Sequence, residues 1–389
     1  MKKDVQQERQ WAVQRLFEGE HVDSICVSLG RSRAWLYKWV DRFLEDVPEW
    51  YKSQSRRPHS NSLHTLGEIE EIVKMVRLNL YNHGLFCGDQ AILWELEEMG
   101  VRPLPSLRTI NRILDRHGLT HRRTGKYESK GKWYPVLPAL MPNQTHQADF
   151  VGPRHLKGPY RFYSLNAVDI GTGRCGVEPL QSRKAQSIID GFWAIWARMG
   201  IPENIQVDNE MSFLGSPLSP RGMGPLIRLC LHHNVEPWFI PPAEPWRNGV
   251  VEKFNDHYQQ KFLNRITMTT EADLKHASLG FEHKHNSSYR YSKLKGRTPM
   301  QVLTGVKKTL TFPEQKQAPQ YPLKKPKSGK YHLVRYIRSD SCLNIFGEIF
   351  PVSAELQYEY VVATIVVKEQ KLKLFLANEQ VDEFNYLLQ

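Results

Sequence analysis

With 389 residues, 40% apolar and 24% charged, the chain has globular composition and room for about two to four domains. No apolar run approaches the roughly 18–20 residues of a membrane span, the opening MKKDVQQERQW lacks the apolar stretch of a secretory signal, and five scattered cysteines fit a reducing, cytoplasmic interior better than a disulfide framework. Against 41 Asp and Glu stand 53 Lys and Arg, a net charge of +12, so the expected partner is a polyanion, nucleic acid above all.

Residues 7–45 predict three helices. Trp11, Val13, Leu16 and Phe17 carry the first, and Val22, Ile25, Cys26 and Leu29 the second, which stops at Gly30. The third starts at an N-cap, Ser32, and carries Trp35, Leu36, Trp39, Val40 and Phe43. Two short helices, a glycine turn and a third helix outline a helix-turn-helix. Its last helix would offer Arg31, Arg33, Tyr37 and Lys38 to a major groove; the alternative is a small bundle with a solvated basic face. This unit is expected over residues 1–52. A polar linker follows over 53–66, with Arg56 and Arg57 in SRRPH placed for phosphates.

The outline repeats over 67–124. LGEIEEIVKMVRLNLYNHG is a long helix, GDQAILWELEEMG a shorter one, and SLRTINRILDRHG a basic third capped by Ser106. Arg108, Asn111 and Arg112 would face bases or phosphates. Residues 101–133 hold nine Lys or Arg against two acids. Among them Arg122, Arg123, Lys126 and Lys130 are expected on DNA, the last two from an extended basic linker over 125–142. The pairs His83/Cys87 and His117/His121 imitate zinc spacing, but no CxxC sharpens the pattern.

From 143 the period changes. THQADFVG, RFYSLNAVDIGTG and RCGVEPL read as three strands joined by turns. SRKAQSIIDGFWAIWARMG is an amphipathic helix, IPENIQVDNE a strand, GPLIRLCLHHN a helix and VEPWFIPP a strand. A helix from about residue 248 to 265 comes next. The order β-β-β-α-β-α-β-α predicts a mixed sheet with helices on its faces, a core over 143–304. A Lys- and Pro-rich linker spans 305–329. Short alternating segments over 330–389 predict a small β-barrel, whose local charge of −5 over 339–389 argues for a protein contact rather than phosphate.

Three acids stand out by position. Asp149 lies in the first strand, Asp208 ends the fourth, and Glu252 opens the helix after the fifth. First and fourth strands are neighbours in such a sheet, so the three can converge. Clustered carboxylates need a countercharge. Divalent cations with oxygen ligands supply it, and a pair of them suits in-line phosphoryl transfer. Each acid alone reads equally as a cap or a surface charge. Asp169, before a Gly-Thr-Gly turn, reads as a turn former. Trp246, Arg247, Asn248 and Lys253 flank Glu252 and are expected to hold a DNA end, with core packing the competing reading for Trp246.

Taken together, HQADF, VDNEMSF and PPAEPWRNGVVEKFN resemble the core of the DDE transposases and retroviral-type integrases, above all bacterial insertion-sequence transposases with an integrase core. HNSSYRYSKLKGRTPMQVL, through Leu294, Gly296, Thr298 and Pro299, resembles the segment that closes that core. Three departures are visible. Glu210 stands where the family usually has Gly, Tyr291 stands where His is common, and the 44 positions from Asp208 to Glu252 exceed the usual interval, with MSFLGSPLSPRGMGP able to loop out the excess.

The resemblance implies a multidomain α+β protein: tandem helix-turn-helix units, an RNase H-like mixed α/β catalytic core and a C-terminal small β-barrel. It implies two Mg²⁺ per site, with Mn²⁺ able to substitute, held by Asp149, Asp208 and Glu252 as catalytic residues. Asp149 would bridge both ions. The implied activity is binding of a mobile element's terminal repeats, strand cleavage to a 3′-hydroxyl and joining to target DNA. At least a dimer is implied, in a bacterial, nucleoid-associated setting. The competing classes are a non-catalytic DNA-binding regulator and a metal-dependent nuclease that cuts without joining.

Overall fold

A computed structural model describes residues 5–53, 66–120, 133–157, 160–215 and 221–389. The chain forms two compact units, Met1–Thr65 and Leu66–Gln389. Among the described residues no helix is long and apolar enough to cross a membrane.

The first unit holds three helices, α1 (Val5–Phe17), α2 (Val22–Leu29) and α3 (Arg33–Leu44). Ala12, Val13, Ile25, Leu36, Trp39 and Val40 form its core. The expected punctuation is present. Gly30 ends α2 at φ 63°, and the Ser32 hydroxyl accepts from the Trp35 N–H at the start of α3. Arg9 lies over the Trp39 ring at 4.0 Å and donates to the Tyr51 carbonyl, tying the tail after α3 to α1.

In the second unit α4 (Gly67–Asn82), α5 (Asp89–Glu98) and α6 (Leu107–Arg116) pack around Val73, Leu80, Ile92, Leu96, Ile110 and Ile113. These helices, expected as a domain of their own, belong to the same compact unit as the sheet that follows. Phe86 sits edge-on to the rings of His257, Tyr289 and Tyr291, and the Tyr289 hydroxyl donates to the Gly84 carbonyl at 2.6 Å. Gly296, at φ +79°, presses so close to Trp94 that an added Cβ would stand 2.6 Å from the ring. That contact gives the closing segment its glycine.

The sheet has nine strands: β1 (Thr145–His155), β2 (Arg161–Asp169), β3 (Cys175–Leu180), β4 (Asn204–Val207), β5 (Glu236–Phe239), β6 (Lys330–Tyr336), β9 (Tyr360–Val366), β10 (Lys371–Leu376) and β11 (Glu379–Asn385). A separate hairpin pairs β7 (Cys342–Ile345) with β8 (Glu348–Pro351). The order in the large sheet is β11-β10-β9-β6-β5-β4-β1-β2-β3. The strands β1, β4, β5 and β6 run parallel, with antiparallel arms on both sides. Helices α7 (Ala185–Met199) and α9 (Pro225–His232) cover one face, with the short α8 (Met211–Leu214) between them in sequence. Helices α10 (Gly249–Tyr258) and α11 (Glu271–Ser288) cover the other. The small α12 (Pro299–Thr304) starts on a capping box between Thr298 and Gln301.

The C-terminal strands correct one expectation. They do not stand apart as a small closed barrel. Strand β6 pairs in parallel with β5 through Trp238↔His332 and Phe239↔Leu333, and Trp238 stacks on His332 at 3.9 Å. Tyr331, Leu333 and Ala363 enter the same apolar cluster as Val207 and Phe239. Alternation marks a strand but not the edge it joins, so the pairing was invisible in the sequence. The Lys- and Pro-rich stretch is no free tether either. The Thr311 carbonyl accepts from Ile201 N–H, Gln315 from the Trp193 indole and Leu323 from Arg228, which lays the stretch along α7 and α9.

Candidate active site

Asp149 is placed by strand pairing. On one side it faces Asn166 of β2, and on the other β1 runs parallel to β4 with Gln147 opposite Gln206. Two residues further along that register, Asp149 stands abreast of Asp208, which follows the last residue of β4. Glu252 lies in the first turn of α10. Register and one helix start thus place the three acids near enough to feel one another's charge.

The helix start is pinned to the sheet by amides. Gln147 accepts through Oε1 from Val250 N–H at 2.9 Å and Val251 N–H at 3.2 Å, satisfying donors that a helix leaves open at its first turn. Gln206 donates to the Arg247 carbonyl at 2.8 Å, and Asn248 Nδ2 donates to the Ala148 carbonyl at 3.1 Å. A second set holds Asp149 itself. Its Oδ1 accepts from Phe150 N–H at 2.7 Å and its Oδ2 from Asn255 Nδ2 at 2.9 Å. Asn255 accepts in turn from Asn166, and Asn166 from Ser164. Below them Phe150 stacks on the fully buried Phe213 at 4.8 Å, which anchors the loop after Asp208 to the strand that carries Asp149.

Electrostatics sets the acids apart from ordinary surface charges. Burial, then Asp208 and the more distant Glu252 and Glu210, push the Asp149 carboxyl up to about 7. Burial also raises Asp208, against the pull of the Glu210 N–H and Arg183. Glu252 is raised by burial, Asp256 and Asp208. Glu210, the acid two residues after Asp208, is ion-paired with Arg183. Asp149, Glu252, Asn255 and Asp256 line a cleft of about 330 Å³. Among the described residues no three His, Cys, Asp or Glu side chains close around a single point. The donor set, carboxylate oxygens that repel one another, is nevertheless the kind a hard divalent cation takes. Asp169 has a different part: it accepts from Gly171 N–H and the Thr172 hydroxyl and shapes its turn.

The residues expected on DNA divide by exposure. Trp246 is 53% exposed, open for stacking rather than packed in the core, and Lys253 is exposed beside it. Asn248 is only 2% exposed and holds β1, so it is a positioning residue and not a DNA contact. Arg247 lies over the Tyr134 ring at 3.9 Å and pairs with Glu244 at 3.1 Å. Arg108 and Arg112 are exposed on α6, whereas Asn111 donates to Asp89 and braces α6 against α5. On the first unit Tyr37 and Lys38 are exposed, while Arg31 pairs with Glu8 and Arg33 with Asp23. Arg56, Arg57, Arg122, Arg123, Lys126 and Lys130 lie outside the described residues.

Sequence reasoning missed Gln147, Gln206, Asn166, Asn255 and Arg183. Two of them had a signal: Gln147 shares a strand face with Asp149, and Asn255 lies three residues after Glu252 on one helix face.

No family model matches the chain. Solved structures similar to it include the HTLV-2 integrase catalytic core domain in complex with magnesium. Its trimeric form has 18% identity over 42% of this chain and 99% of that one, at a TM-score of 0.33. The dimeric form has 20% identity over 43% and 99%, at 0.32. The simian T-cell lymphotropic virus intasome in complex with PP2A regulatory subunit B56 gamma has 16% identity over 75% of this chain and 88% of that one, at 0.38. All three scores lie below 0.5.

Proposed function

We propose that this chain is a DNA recombinase of the transposase and integrase kind, which binds the ends of a mobile element, cleaves a strand to a 3′-hydroxyl and joins that end to target DNA. One observation carries the reading: three carboxylates from segments far apart in sequence are brought toward one place by β1, the end of β4 and the start of α10, where burial first, and then Asp208 and Glu252, raise the Asp149 carboxyl to about 7. The sequence resemblance of these same three segments supports it.

Asp149, Asp208 and Glu252 would hold divalent cations, Mg²⁺ first. Bound there, such ions neutralise the phosphate and ease formation of an oxygen nucleophile. The chain's own groups do the rest. Gln147 and Asn248 keep Glu252 aimed from a fixed helix start, and Asn255 holds one Asp149 oxygen. Lys253 and the exposed Trp246 lie beside Glu252 to receive a phosphate and an unpaired base. In cleavage a water oxygen attacks phosphorus and the 3′-oxygen leaves with a proton. In joining that 3′-hydroxyl attacks a target phosphodiester. Two ends must meet, so the working form is at least a dimer.

The test uses a supercoiled plasmid, duplexes carrying the element's own ends, and Mg²⁺. Wild type is expected to join ends to plasmid. Glu252→Gln, which keeps the shape and removes the charge, is expected to bind the ends and join nothing. Wild type that binds but neither cuts nor joins with Mg²⁺ or Mn²⁺ would make the chain a regulator. Cut ends without joined products would make it a nuclease.

A further inference from the structure

A second and larger cleft, of about 660 Å³, opens beside the acids. Asn209, the residue after Asp208, lines it together with Pro241 and Glu244 from the segment that leads into α10. Arg335 on β6, Arg338 in the loop after it and Asn344 on β7 line it from the C-terminal side. The strand extension beyond β5 thus forms one side of a groove whose other side is the turn at Asn209, next in sequence to Asp208, and the segment that leads into α10.

Arg335 marks this groove. It is 9% exposed. Its Nε and Nη1 donate to the carbonyls of Asn344 at 3.3 Å and Val334 at 2.9 Å, and Nη2 donates to the amide oxygen of Asn209 at 3.1 Å. Among the described residues every one of these acceptors is neutral. The acids of the cleft are engaged elsewhere: Glu244 with Arg247 and the Tyr360 hydroxyl, Asp340 with the Cys342 N–H. Burial alone pushes the guanidinium down to about 10. A buried cation without a countercharge is costly to keep. A guanidinium has five N–H donors in a rigid fork suited to phosphate, and three are used here.

We propose that this cleft is a phosphate site for a DNA backbone, with Arg335 as the buried anchor and the exposed Arg338 as its second cation. The proposal rests on the reading of the chain as a DNA recombinase and says where the strand runs: past Asp208, along the Asn209 turn and under the C-terminal strands. Arg335 also grips Asn209, so a phosphate drawn onto the guanidinium would bear on the turn that carries Asp208.

The full chain is tested in two ways. Thermal unfolding is compared in inorganic phosphate and in chloride at matched ionic strength, and duplex DNA affinity is measured across a salt series. Wild type is expected to gain stability from phosphate beyond that from chloride. Arg335→Met is expected to lose that gain and to bind DNA with a salt slope smaller by about 1. An unchanged phosphate gain, or an unchanged slope, overturns the proposal. Should Arg335→Met not fold, Arg335→Lys replaces it. Lysine keeps the charge but cannot serve Asn209, Val334 and a phosphate together, so the phosphate gain should shrink, and an undiminished gain overturns the proposal. The two readings fail separately. Wild type that never joins ends yet shows an Arg335-dependent phosphate gain and slope sinks the recombinase and keeps the site; joining with no Arg335 dependence does the reverse.

Discussion

At the scale of single residues, Asp149 is held on both of its oxygens. They accept from Phe150 N–H and Asn255, and burial, with the neighbouring acids after it, keeps its own carboxyl raised. Mutual repulsion of this kind is relieved by a cation. Mg²⁺ at ten times its Kd should therefore stabilise wild type by about 1.4 kcal/mol, read as a shift in the urea midpoint against EDTA. Asp149→Asn should show little of that gain. Equal gains in the two proteins would mean that the ion binds elsewhere. Legibility at this scale was uneven. Asp208 and Glu252 could be found because one ends a strand and the other opens a helix, and Asp149 because it lies in the strand expected beside the fourth, so that strand and helix periods say which residues meet. Asn248 was misread because Asn-Gly in a sequence signals a turn at the surface, and nothing local tells that its amide is 2% exposed and fills a gap in the strand ladder.

At the scale of elements, the joint between β1 and α10 matters most. Gln147 closes it by serving two N–H groups of the helix start. Gln147→Ala leaves both without that acceptor, the Val251 N–H in a buried place, and should cost about 1–3 kcal/mol, seen in chemical denaturation. Because the cost falls on the aim of Glu252, joining should drop more steeply than DNA binding. A variant that loses binding and joining in equal measure would show the glutamine to be structural only. The order of helices and strands was readable from hydrophobic period and caps, as Ser32, Ser106 and Gly30 show. The joint was not. A glutamine or asparagine in a strand looks like a solvent-facing residue, and the fold shows that Gln147, Gln206 and Asn166 hydrogen-bond in its interior, as Asn255 does from α10. Strand β6 carried the same ambiguity: its alternation was plain, its partner was not.

At the scale of the whole molecule, residues 330–389 complete the sheet and the core of the second unit. Tyr331, Leu333, Ala363 and Ile365 share one apolar cluster with Phe192, Trp196, Val207 and Phe239. Deleting 330–389 should therefore unfold the rest of the second unit rather than leave it folded on its own. The check is urea denaturation of the deletion against the full chain, followed by tryptophan fluorescence. A cooperative transition at an unchanged midpoint would contradict the shared core. The parallel seam between β5 and β6 also has a meaning for how the protein is made. Strand β5 leaves the ribosome about ninety residues before its partner, and at ordinary rates of synthesis that is roughly 5–20 s. For that time the nascent chain carries a bare strand edge, Glu236–Phe239, open to pairing with another copy. Slow translation over 240–330 would lengthen the exposure, so the yield of soluble protein should depend on codon speed in that stretch more than in any other.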